Sequence, residues 1–160
     1  MKPSKNCYDL IKAEEGCVLH AYKDPGSGML PITIGWGSTM RKNGDSIHLG
    51  ETVTQQEADE LLEWEVNNKA KVVNSLLLTT MINQNQFDAL VSFAYNCGVG
   101  SFQHSTMRKK ILLNPDDISI RNEFMRWNKA AGKELAGLTK RRKHEADLYF
   151  LHEPDKELIT

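Results

Sequence analysis

The sequence predicts an α+β fold that is mainly α. Three observations predict it. A β-branched run, Leu30–Gly35, returns after a dense turn signal toward a loosely alternating segment before it, which is the pattern of a small antiparallel sheet. From Thr54 onward the apolar residues recur at helical spacings, with no second alternating stretch. The chain has 160 residues, 40% of them hydrophobic and 26% charged. That is ordinary composition for one domain able to bury a core without metals or disulfide staples.

Taken in order, residues 7–15 place Leu10, Ile11 and Ala13 on a short helical pattern, and Gly16 is its stop, since glycine tolerates the left-handed conformation there. Cys17–Lys23 suits a strand, Asp24-Pro25-Gly26-Ser27-Gly28 is a turn, and Leu30–Gly35 is the returning strand. Lys42-Asn43-Gly44-Asp45 is a second turn, with a short third strand expected at Ser46–Gly50. Thr54-Gln55-Gln56-Glu57 is a capping box: the Thr54 hydroxyl takes a free N–H while Glu57 reaches back. The helix it opens runs to about Leu78, roughly 37 Å at 1.5 Å per residue. That length spans a small domain, so the helix is expected to join two lobes, about 1–60 and 80–151. Phe87, Leu90, Val91, Ala94 and Tyr95 form a strongly apolar helix ended by Gly98 and Gly100. Shorter helices are expected at 105–113, at 116–128 after the Asn114-Pro115 start signal, and at 138–151. The tail 152–160 holds a proline and four charges and is expected to be mobile.

Composition excludes several classes of function. The formal net charge is −1, which predicts no nucleic-acid partner. The charge is uneven, however. Residues 1–100 carry 8 basic and 12 acidic side chains, residues 101–160 carry 12 and 9, and a basic second half attracts anionic polymers. No stretch of about 18 apolar residues predicts a membrane span. The polar start Met1–Asn6 leads into no apolar signal core, so an export signal is not expected. Cys7, Cys17 and Cys97 are too few and odd in number for a disulfide framework and are expected to be free thiols. None sits in a nucleophile motif. The five histidines lack ligand spacing, and the glycines follow neither dinucleotide nor P-loop spacing, so neither metal nor cofactor is expected.

The stretch Glu14–Gly37 carries the chemistry. A helix ends in a carboxylate, Glu15; nine residues later Asp24 opens the hairpin turn; Thr33 follows on the return strand. Cleaving a glycosidic bond needs one carboxyl kept protonated for the leaving oxygen and a second, ionised one to act as nucleophile or to activate water. The two need different environments so that their pKa values diverge. Glu15, at the foot of a helix, is expected to be the shielded acid and Asp24, in an open turn, the ionised partner; Thr33 is placed to hold a water. Surface carboxylates at such separations are common, and spacing alone leaves the solvated reading open. Glu14 competes with Glu15 for the inward position.

Glu15-Gly16, Ala21-Tyr22-Lys23-Asp24 and Thr33-Ile34-Gly35-Trp36-Gly37 resemble the signature of the phage-type lysozymes, the bacteriophage endolysin muramidases. Gln86–Asn96 with Gly98-Val99-Gly100 is similar to that family's central buried helix and glycine turn. Arg126-Trp127-Asn128-Lys129, Gly137-Leu138, Arg141-Arg142 and Glu145 resemble its C-terminal block. The blocks run in order from about residue 8 to residue 151. The resemblance implies a two-lobed lysozyme-like fold with a cleft between a sheet-bearing lobe and a helical one. It implies hydrolysis of the β-1,4 bond between N-acetylmuramic acid and N-acetylglucosamine in peptidoglycan, by inversion. Glu15 is then the general acid, Asp24 positions or activates the water, Thr33 assists, and Arg141 looks like the family's cleft arginine that approaches the catalytic glutamate from the C-terminal helix; Trp36 and Gly37 are expected at the substrate. Arg142, adjacent, is the alternative to Arg141. The implied enzyme is a monomer without cofactor. Its partner is the peptidoglycan glycan strand, with no stable membrane association, and it waits in the host cytoplasm until a separate membrane pore releases it.

Two departures stand out. Eight residues, Pro25–Ile32, separate Asp24 from Thr33, where the family's commonest spacing leaves five; the glycines of the loop permit the extra length. Ser38 stands where many relatives have a histidine after the last glycine. Trp36 is open between sugar stacking and packing, whereas Trp64 and Trp127 are expected in the core or between lobes. Lys140-Arg141-Arg142-Lys143 is either a solvated helix face or an attraction for the anionic wall. The alternative function is a non-catalytic peptidoglycan-binding or structural module of lysozyme-like fold. A third is a transglycosylase, against which Asp24 argues.

Overall fold

The computed structural model describes residues 1–23 and 30–152. The turn with Asp24 and most of the lengthened loop therefore lie outside the described residues, as does the tail from 153 on.

The first helix, α1 (Lys5–Glu15), starts two residues before the expected position because Ser4 caps it, accepting from the Asn6 N–H. It ends where expected: Gly16 has φ +67° and its N–H bonds back to Lys12 O. Strands β1 (Val18–Lys23) and β2 (Ile32–Gly35) pair antiparallel with Tyr22 opposite Thr33 and Lys23 opposite Ile32, and the register is irregular between Val18 and Tyr22. The third strand expected at Ser46–Gly50 does not form. Residues 48–51 turn instead, with Glu51 N–H on His48 O and His48 N–H on the Glu51 carboxylate. The next residues then run along β1: Ala21 N–H bonds Glu51 O and Val53 N–H bonds Leu19 O. A small cluster of Ala21, Ile34 and Ile47, with Ile32 and Val53 against it, forms the core of this lobe.

Helix α2 (Gln55–Leu77) opens with the full capping box, Thr54 Oγ1 accepting from Glu57 N–H and Glu57 Oε2 accepting from Thr54 N–H. Its first turn lies under the sheet, where a Cβ on Gly35 would stand 3.2 Å from Ala58 Cβ. Further along, Leu62, Val66, Ala70, Val73 and Leu77 enter the main core. The long helix thus packs on β2 with its first turn and enters the main core beyond it, joining the two lobes.

Helix α3 (Gln84–Cys97) is the centre of the helical lobe, with Asn85–Ala94 buried without interruption. Its polar side chains are all partnered, as burial demands. Asp88 accepts from Ser4 N–H at 2.9 Å, Asn85 donates to Leu151 O at 2.8 Å, and Gln86 donates to Asp116 Oδ1 at 3.0 Å. Phe93 meets Phe102, Phe124 and Trp127 edge-on, with centroids 5.4–6.4 Å apart. Gly98 alone ends α3; Gly100, expected to share that task, lies inside α4 (Val99–His104). Helix α5 (Thr106–Leu113) matches its expectation.

The helix expected over 116–128 shrinks to α6 (Ile120–Met125). Asn114 and Asp117 side chains take the N–H groups of Asp116 and Ser119, holding those residues in turns that compete with helix. Beyond α6, Lys129–Ala130 (β3) and Lys133–Glu134 (β4) form a two-residue hairpin that the sequence pattern did not reveal. Helix α7 (Ala136–Tyr149) then packs on α3 and α6.

Candidate active site

Helix α1 ends on two carboxylates, and α7 engages both. Glu14 Oε1 lies 2.5 Å from His144 Nδ1, and Glu15 Oε1 accepts from Arg141 Nη1 at 2.6 Å. Arg141 and His144 are three residues apart and so share a face of α7. Of the two, Glu15 lines the open cavity, while Glu14 is held against α7. One oxygen of Glu15 is thus held by the Arg141 guanidinium, the arginine expected beside it.

The cavity Glu15 enters has a volume of about 490 Å³. Gly37 forms the wall beside it. A Cβ there would stand 2.9 Å from Glu15 Oε2, and φ is +97°, so only glycine leaves that oxygen its place. Trp64, Glu65, Asn68 and Lys69 line the α2 side, and Tyr95 and Asn96 the α3 side.

Arg141 is buried and, through Nε, also reaches Glu145 Oε1 at 3.4 Å. Burial works to lower its pKa, but the carboxylates of Glu15 and Glu145 outweigh that and raise it, so the guanidinium stays charged. Arg142 faces the other way. Its Nη2 bonds Asn96 Oδ1 at 2.7 Å, and its plane lies 5.1 Å over the Phe93 ring. It also pairs with Glu145: Nη2 donates to Oε1 at 3.2 Å, and Nε lies 2.8 Å from Oε2. Glu145 is fully buried between the two arginines and accepts from Ser92 at 2.9 Å. The basic run 140–143 is therefore not one solvated face: its two arginines are core elements.

A second cavity carboxyl escaped the sequence reading. Glu65 Oε2 accepts from Tyr95 Oη at 3.1 Å and from Ser38 Oγ at 3.2 Å. Burial pushes its pKa up; the bonds from Tyr95 and Ser38 and the charge of Lys69 only partly offset this, and Glu15 adds to the rise. Burial, with the Glu65 and Glu15 charges, also pushes the Tyr95 phenol up, so it keeps its proton. That single proton is shared with Trp36 O, also 3.1 Å away. The available signal was the polar stripe Trp64, Glu65, Asn68 and Lys69 at helical spacing, opposite the apolar stripe of the same helix.

Of the residues singled out from sequence, the structure brings Glu15, Gly37 and Arg141 together. Trp36 is not among the residues lining the cavity. It packs against the main core, donates to Asp59 Oδ1 at 2.7 Å and carries Lys12 Nζ 5.1 Å over its ring. Trp64, expected in the core or between the lobes, lines the cavity instead, while Trp127 packs on Phe93 as expected. Thr33 is buried in β2, with Oγ1 donating to Pro31 O at 3.3 Å. Asp24 lies outside the described residues. Among the described residues no cluster of three metal-ligating side chains occurs, and no helix is long and apolar enough to cross a membrane.

Residues 12–145 match the model of the family described as Phage lysozyme. The chain is 37% identical over 154 residues to an endolysin of Bacillus phage B103, covering 96% of this chain and 56% of that protein. It spans little more than half the length of that relative. It is 36% identical to the endolysin of Salmonella phage P22, covering 94% of this chain and 99% of that one. Among solved structures it resembles an endolysin from Escherichia coli O157:H7 phage FAHEc1, with a TM-score of 0.82, 34% identity and 94% of each chain covered.

Proposed function

The chain belongs to the phage lysozyme family, and on that premise we propose that it is a muramidase. The reaction is hydrolysis of the β-1,4 bond between N-acetylmuramic acid and N-acetylglucosamine in bacterial peptidoglycan. One observation carries this reading: a carboxyl at the end of α1, Glu15, held by Arg141 on one oxygen and facing Gly37 and a sugar-sized cavity with the other.

In this mechanism Glu15 gives its proton to the leaving glycosidic oxygen. Arg141 fixes the direction of the carboxyl, so that the acid waits in position and costs no reorganisation at the moment of reaction. Asp24 activates the attacking water and Thr33 helps hold it. The support for this half is the resemblance of the motif and the strand register: Asp24 follows Lys23, whose partner Ile32 precedes Thr33. A water between two carboxyls leads to inversion. Endolysin relatives support action on the wall from inside the cell, and the proposed route is a membrane opening made by another protein.

The test is clearing of a peptidoglycan suspension with mass spectrometry of the products. Reducing ends carrying an added water are expected from the unmodified chain, and Glu15→Gln should lose about 10²–10⁴ of the rate with its fold intact. Equal clearing by that variant removes Glu15 from the role of acid. Anhydro ends would mean a transglycosylase, and wall binding without cleavage a non-catalytic module.

A further inference from the structure

The α2 wall of the cavity has an organisation that acid–base chemistry at Glu15 does not use. Consider the three tryptophans. Trp36 is engaged by Asp59 and Lys12, and Trp127 by Phe93. Trp64 is half-buried at the cavity and, among the described residues, takes part in no hydrogen bond, ring stack or cation contact. A large indole facing a polar cavity with no such partner among the described residues is what a flat ligand surface would complete.

The next residue is arranged in a matching way. Glu65 spends one oxygen, Oε2, on Tyr95 and Ser38, which lock the carboxyl in place from α3 and from the loop after β2. Its other oxygen, Oε1, accepts no hydrogen bond from the described residues. Asn68 lies one helical turn beyond Trp64 and brings both a donor and an acceptor to the same cavity. An apolar platform bordered by a fixed carboxyl and an amide suits a pyranose ring: the ring's C–H face lies on the indole, and its hydroxyl or acetamido N–H groups meet the polar edge.

We propose that α2 carries a saccharide-binding subsite of its own, in which Trp64 is the platform for an N-acetylhexosamine ring and Glu65 and Asn68 bind that ring's polar edge. This deepens the muramidase reading and rests on it. The subsite sets how firmly a glycan strand is held across the cleft, and it acts on binding, not on the bond-breaking step.

Kinetics on soluble peptidoglycan fragments test it, together with tryptophan fluorescence of the Glu15→Gln chain titrated with the N-acetylglucosamine trimer. Trp64→Ala should raise KM about tenfold with kcat within about twofold, and Trp64→Phe should recover most of the loss. Glu65→Ala should raise KM about threefold or more. The trimer should change the emission of the Glu15→Gln chain. Adding Trp64→Phe should abolish that response, and adding Trp36→Phe should keep it. An unchanged KM in Trp64→Ala, or a response that survives Trp64→Phe, overturns the subsite. If the unmodified chain cleaves no bond yet the Trp64-dependent response remains, the muramidase reading fails and the subsite stands. Absence of both cleavage and response overturns the two together.

Discussion

Arg141 Nη1 donates to Glu15 Oε1 at 2.6 Å across a sequence separation of 126 residues. The same guanidinium reaches the fully buried Glu145. One arginine therefore ties the end of α1 to the centre of the helical lobe. Arg141→Ala would leave Glu145 with Arg142 as its one remaining cation among the described residues, and breaking a buried pair in this way costs about 3 kcal/mol. The expected outcome is a loss of that size in urea unfolding together with reduced wall clearing. Glu15→Gln, by contrast, should shift stability by about 1 kcal/mol and slow clearing by about 10²–10⁴. If Arg141→Ala unfolds at the same urea concentration as the parent, the pair does not anchor α1.

Gly37 should tolerate no side chain. In Gly37→Ala the new methyl would stand 2.9 Å from Glu15 Oε2 on a residue with φ +97°. The left-handed conformation alone costs about 1–2 kcal/mol, and relieving the contact displaces the carboxyl. Restoring ordinary contact from 2.9 Å takes a shift of about half an ångström, which costs on the order of tenfold in rate. Turnover measured at saturating substrate should fall by about that factor while the circular dichroism of the folded chain is retained.

Two carboxyls predict opposite responses of stability to pH. Lys110 at 2.7 Å and Arg126 at 3.1 Å hold Glu123 below its ordinary 4.5, although burial works the other way. A lowered carboxyl stabilises the fold above 4.5 and loses that contribution as pH falls through its folded value. Glu65 is held above 4.5 by burial. It costs stability at neutral pH, and that cost disappears as pH falls from its folded value toward 4.5. Denaturant unfolding between pH 3 and pH 8 should therefore show a weaker acid loss in Glu123→Gln. Glu65→Gln should gain stability relative to the parent at neutral pH, with the gain fading toward 4.5. Parallel curves for parent and Glu65→Gln would contradict the burial of an unneutralised acid.

Phe93 is the packing centre of the helical lobe, meeting three aromatic rings edge-on beneath the Arg142 guanidinium. Truncation to alanine leaves a cavity that close-packed helices cannot fully collapse into, at about 3–5 kcal/mol. At about 2–4 °C per kcal/mol for a chain of this size, Tm should fall by roughly 10 °C. The near-ultraviolet circular dichroism of Trp127 should weaken with it. A thermal scan within about 2 °C of the parent would show that the lobe repacks around the hole.

Much of the molecule was legible in the linear chain. Local rules set the cap at Thr54, the stop at Gly16, the β1–β2 hairpin and the apolar stripe of α3, because each depends on residues within one or two turns of one another. The same rules failed where neighbouring polar groups compete with the helix, as Asn114 and Asp117 do before α6. They failed also at Ser46–Gly50, where a turn displaces the pairing segment to residues 51–53. The order of the motif blocks identified the family and put Glu15 at the foot of a helix. The motif resemblance pointed to Arg141 with Arg142 as the alternative, and tertiary structure decided between them; it alone decided that Trp36 packs while Trp64 faces the cavity, and that Glu65 is a cavity carboxyl. The reason is geometric. Helical periodicity says which side chains share a face, but what that face meets depends on the angle and offset at which distant helices pack.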